Sequence, residues 1–158
     1  MTAVPMARAA LCAASLALAS PTLAHDAHET FAAGAPGDPG APARTVDLAI
    51  HELPGGRMSF GTDAIRAELG QQIRFVVTND GQLRHEFRLD SASGNAAHKA
   101  MMAKMPGMVH HDPNAMTLAP SATGTLVWRF TKPGTYEFAC LLPGHYEAGM
   151  HGTVTVGK

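Results

Sequence analysis

From Arg44 onward the chain is written in short runs whose apolar residues alternate with polar ones, and this period of two constrains the fold most tightly. "VDLAI" aligns Val46, Leu48 and Ile50, "IRFVV" aligns Ile73, Phe75 and Val77, and "LVWRF" aligns Leu126, Trp128 and Phe130. Near the end, "TYEFAC" aligns Tyr136, Phe138 and Cys140, and "GTVTV" aligns Val154 and Val156. Successive side chains of a strand point to opposite faces, so each run offers one face to a core and one to water. The runs are separated by "LPGG", "TNDG", "APSATG" and "TKPG", all turn-forming stretches. This pattern predicts an all-β domain over residues 44–158, an antiparallel Greek-key β-sandwich or barrel.

One insertion breaks the rhythm. Residues 91–116, "SASGNAAHKAMMAKMPGMVHHDPNAM", are helix-tolerant from Asn95 to Lys104 and loop-like afterwards. Long irregular connections in compact domains are usually functional or disordered. Residues 25–43, "HDAHETFAAGAPGDPGAPA", are rich in Gly, Ala and Pro without any period and read as a disordered N-terminal arm. Before them, Arg8 precedes an apolar run from Ala9 to Ala19, then Pro21 and a small-residue site ending at Ala24. Residues 1–24 therefore read as a signal peptide cleaved after Ala24, without a twin arginine, which places the chain in the periplasm by the Sec route. The run is shorter than the roughly 20 residues that span a bilayer, so no membrane anchor is expected.

Compartment sharpens the meaning of cysteine. Of the two cysteines, Cys12 lies in the leader, which leaves Cys140 alone and no internal disulfide. An exposed lone thiol in an oxidising compartment invites oxidation or intermolecular pairing, and a buried metal-bound thiolate avoids both. The formal net charge of −1, with no basic tract, argues against nucleic acid as a partner.

The stretch "CLLPGHYEAGMHG" lines up Cys140, His145 and Met150, with Pro143, Gly144 and Gly149 bending the chain between them. Thiolate, imidazole and thioether together form a soft donor set that suits copper. "LRHEFRLD" supplies a fourth donor, since alternation turns His85, Phe87 and Leu89 inward and leaves Arg84, Glu86 and Arg88 toward water. Two imidazoles and a thiolate in one plane with a weak axial thioether make the blue-copper arrangement. Taken singly, a buried cysteine is usually a small inert hydrophobe and a strand histidine a satisfied core residue. Four such residues on one scaffold favour the metal reading.

Cys140-x4-His145-x4-Met150, following an upstream strand histidine, resembles the cupredoxins, the family of plastocyanin, azurin and pseudoazurin. The resemblance covers about Arg44 to Lys158. It implies one type 1 copper with equatorial ligands His85, Cys140 and His145 and an axial Met150. The "GHYEAGMHG" wording and the Met- and His-containing insertion look more like periplasmic copper-tolerance cupredoxins than photosynthetic carriers. Two features depart from the family pattern. Glu86 follows the first ligand, where many cupredoxins place an Asn or Ser that braces the cysteine loop, and the ligand loop is longer than plastocyanin's.

Met101, Met102, Met105, Met108 and Met116, with His98, His110 and His111, offer a second set of copper donors in the insertion. The plain alternative is a loop whose methionines cap the open end of the barrel and form an apolar docking patch. His25 and His28 pose the same choice between Cu(II) chelation and a solvated arm, and His51 and His151 have no evident partner. The functional expectation is copper tolerance and handling, with capacity for one-electron transfer. The alternative is a dedicated carrier supplying a respiratory or periplasmic oxidoreductase. No enzyme is expected, because Ala139 and Leu141 flank Cys140 where multicopper oxidases place histidines that lead to a trinuclear cluster. The expected partners are a copper ion and a redox protein, with the chain itself a monomer.

Overall fold

The computed structural model describes residues 31–105 and 111–157. Among these residues ten strands form two five-stranded sheets. The first sheet has the order β1 (Ala35–Pro36), β8 (Thr123–Arg129), β5 (Gln72–Asn79), β2 (Arg44–Leu53), β3 (Arg57–Ser59). The second runs β4 (Ala64–Glu68), β10 (His151–Gly157), β9 (Gly134–Ala139), β6 (His85–Asp90), β7 (Ala115–Leu118). The alternating runs form these strands because each turns its apolar parity inward: Leu48, Ile50, Ile73, Phe75, Val77, Trp128, Phe138 and Val154 are all buried.

Most pairings are antiparallel as expected, but β2 with β5 and β4 with β10 are parallel. The chain leaves β2, pairs back through β3, crosses to the second sheet as β4, and returns beside β2 pointing the same way. Alternation reports which face is buried and carries no information about the direction of the partner.

Four phenylalanines tie the sheets together. Phe87 of β6 meets Phe75 of β5 at 5.3 Å between ring centroids and Phe138 of β9 at 5.8 Å. Phe60 stands edge-on to both Phe87 and Phe138, at 5.7 and 5.5 Å. Such rings stabilise by area and by edge-to-face geometry.

The N-terminal arm corrects the sequence reading: from Phe31 on, residues expected as disordered are built into the fold. Ala35 and Pro36 pair with Arg129 and Trp128 of β8, and Phe31 packs edge-on against the Trp128 indole at 5.4 Å. The Trp128 Nε1–H donates to the Ala33 carbonyl at 3.1 Å. A buried indole N–H needs an acceptor, and an open strand edge needs a cover. A two-residue strand is too short to leave an alternating signature. His25, His28 and the leader lie outside the described residues.

The insertion forms helix α1 over Ala92–Lys104, three residues earlier than expected, because the Ser91 side chain accepts the Gly94 N–H as an N-cap. Its inward residues are Asn95 and His98, so polar contacts hold it: Asn95 Nδ2 donates to the Glu137 carbonyl and carboxylate on β9. Arg88 is also corrected. It is buried, not solvated, and pairs with Asp90 and Asp112 beneath the insertion. β6 runs from His85 away to Asp90, so the insertion begins at the opposite end of the strand from His85 and packs against β6 and β9.

One close contact tests the core. A Cβ at Gly152 would lie 2.3 Å from Phe138 Cζ and 2.8 Å from the Asp63 carbonyl oxygen. Gly152→Ala is expected to lower unfolding free energy by about 1–3 kcal/mol, as overpacking does. Urea denaturation followed by Trp128 fluorescence measures it, and an unchanged midpoint would refute the contact.

Candidate metal centre

His85 opens β6 and Cys140 directly follows β9, and the two are held by rings of the same parity one alternation away. Phe87 stands behind His85, and Phe138 behind Cys140. The loop from Cys140 to Met150 closes on itself through its backbone. Cys140 N–H donates to the Met150 carbonyl at 3.0 Å, and Met150 N–H donates to the His145 carbonyl at 3.1 Å. Within it His145 N–H donates to Leu142, and Ala148 N–H to Gly144, both at 3.0 Å. Gly149 adopts φ +103°, a left-handed conformation that glycine takes at no steric cost, and Met58 N–H ties the adjacent Ala148 carbonyl to β3 at 2.8 Å.

This backbone brings three donors together. Cys140 Sγ lies 3.3 Å from His145 Nδ1, which is 3.1 Å from His85 Nδ1. The three ligand atoms all lie within 4.8 Å of one another, the one such group of His, Cys, Asp or Glu among the described residues. A metal with bonds of about 2.0–2.3 Å to three donors in a plane spaces them by roughly 3.6 Å, so this set fits a thiophilic cation. Met150 is fully buried beside them on the closed loop, as are His85 and Cys140. His145 alone is partly exposed.

The surroundings set the protonation. Burial pushes the Cys140 thiol up to about 12, opposed by the backbone N–H groups of Glu86 and Leu142 and reinforced by the Glu86 charge. Burial first, and then the neighbouring His85, holds His145 below the ordinary histidine range. Its imidazole is neutral at pH 7, with a lone pair for a metal.

Glu86 N–H donates to Cys140 Sγ at 3.3 Å, while Glu86 Oε2 accepts the Leu141 N–H at 3.3 Å. Glu86 thus braces the cysteine loop with its carboxylate. Sequence reasoning missed Glu52. Its Oε1 lies 3.1 Å from His85 Nε2, the ring nitrogen turned away from the other donors. The signal was present: Glu52 continues the inward parity of Val46, Leu48 and Ile50, an odd place for a carboxylate.

The remaining candidates stand apart. His98 is buried with Nδ1 3.9 Å from Asp112, Met116 packs on the core, and Met101 and His111 are exposed. Met108 and His110 lie outside the described residues. His51 faces Asp80 at 3.9 Å, and His151 stacks on Tyr146 with centroids 4.5 Å apart.

Comparison with known proteins agrees with this geometry. The family described as copper binding proteins, plastocyanin/azurin family, matches residues 49–157, and the chain belongs to it. It is 44% identical to a copper-resistant cuproprotein CopI from Rubrivivax gelatinosus over 84% of this chain and 77% of that one. Its identity to a protein of the same name from Pseudomonas aeruginosa is 33%, over 78% and 81% of the two chains. A solved structure of auracyanin B shares the fold with a TM-score of 0.61 at 24% identity, covering 82% of this chain and 99% of that one.

Because the free thiol holds its proton up to about pH 12 and a bound thiolate does not, metal uptake should release one proton from Cys140. Apparent affinity should then rise about tenfold per pH unit through the neutral range. Titration calorimetry in buffers of different ionisation enthalpy counts the proton, and a count of zero would contradict the protonated thiol.

Proposed function

We infer that this chain is a periplasmic type 1 copper protein that acts in copper tolerance and handling and is capable of one-electron transfer. One observation carries the reading: His85 and the Cys140–His145 loop, distant in sequence, converge with three ligand atoms inside 4.8 Å. The kinship with proteins named copper-resistant cuproproteins supports the physiological half. The leader read over residues 1–24 supports the compartment. In this reading His85, Cys140 and His145 hold copper, with Met150 as a weak fourth donor. Copper supplies a reversible one-electron couple at that position. The chain's own part is to bring the donors together in advance, bury the sulfur from water and oxidants, and leave the partly exposed His145 as the way in.

The reading is non-catalytic. Ala139 and Leu141 beside Cys140 carry no ligand atom that would connect it to a second metal group. Copper(II) added to the protein should give an intense visible charge-transfer band, since a thiolate bonded to copper absorbs there. Cys140→Ser should abolish that band, and a band that survives unchanged would place the site elsewhere.

A second reading, a dedicated electron carrier, draws on the partial exposure of His145 among otherwise buried donors. Copper stoichiometry separates the two. For a buffering protein the chain should take up more than one Cu(I) equivalent. Replacing Met101, Met102, Met105 and Met108 by leucine should remove the surplus and leave the visible band intact, because leucine keeps volume while deleting sulfur. A single equivalent before and after would favour the carrier.

A further inference from the structure

We propose that Glu52 is a positioning residue for the copper site: its carboxylate fixes the tautomer of His85 and biases the site toward Cu(II). The inference rests on the copper reading above. His85 turns Nδ1 toward His145 and Cys140 and Nε2 toward Glu52 Oε1, 3.1 Å away. An anionic carboxylate accepts and cannot donate, so Nε2 carries the ring proton and Nδ1 presents its lone pair to the metal. The carboxylate also gives the buried ring more electron density, which stabilises the higher-charged copper ion more than the lower.

The contact is built into the fold at three points. Glu52 Oε1 also accepts the backbone N–H groups of Gln82 and Leu83, each at 2.8 Å, so the oxygen is held before any metal arrives. Gly81 makes room for it, since a Cβ there would lie 2.2 Å from Glu52 Oε1. Glu52 continues on β2 the register that Leu48 and Ile50 turn inward, and although solvent reaches part of its side chain, its Oε1 faces the buried His85. His85 itself is fully buried, so the ring that links carboxylate and metal is screened from water.

The test compares reduction potentials by spectroelectrochemistry on the copper-loaded full chain. Glu52→Gln keeps an oxygen acceptor for the loop while deleting the charge. It should weaken Cu(II) binding about tenfold with little change for Cu(I), which raises the potential by about 59 mV. Glu52→Asp retains the charge and should recover part of the shift. Asp80→Asn removes an equal charge from a carboxylate that faces His51, and it should leave the potential unchanged. A Glu52→Gln protein with the wild-type potential would overturn the proposal, as would equal shifts in Glu52→Gln and Asp80→Asn. Wild-type protein that gives no visible thiolate band with copper would overturn the copper reading itself, a different result from a band present with an unmoved potential.

Discussion

The packing of Phe87 against Phe138 decides where everything else in the molecule can be. Each ring lies on a strand of the second sheet, and each strand carries a donor of the same parity toward one end. Because side chains in close-packed interiors have little freedom, fixing the two rings fixes the strands. His85 and Cys140 then come together as a consequence of core packing. The loop from Cys140 to Met150 adds the third donor by closing its own hydrogen bonds.

This order of causes explains how a folded chain tolerates so crowded a set of groups. Two imidazole nitrogens 3.1 Å apart can satisfy one another only if one donates, and a buried thiol stands beside them. Glu52 and Glu86 add carboxylates at the edge of this cluster. A cation at the centre is the one addition that every neighbour favours, and the rigid core keeps the donors from relaxing apart before it arrives. The bound and unbound arrangements can then be nearly alike, which is what the proposed one-electron role would call for.

How much was legible in the sequence follows from which physical signals are local. Inward parity on β5, β8, β9 and β10 is a local signal and located the core, as the same parity turned His85 on β6 and Cys140 after β9 inward. Pairing direction is not local, so the parallel β2–β5 and β4–β10 pairs were invisible. The arm from Phe31 was missed because its order depends on a distant Trp128 that needs an acceptor for its N–H. Arg88 was misplaced because the helix covering it comes from an insertion whose inward residues, Asn95 and His98, are polar. Glu52 broke its strand's pattern in plain view, yet its partner lies across the mouth of the sandwich and only folding brings them together.

The position of β10 has a consequence for timing. It follows the other described strands in sequence, and its pairing with β9 and β4 joins the two within the second sheet. His151 opens it, directly after the loop that holds His145 and Met150. A chain made from its N-terminus therefore displays His85 well before Cys140, His145 and Met150 exist. The nascent chain thus has no complete trap for a metal ion, and the centre comes into being together with the finished fold.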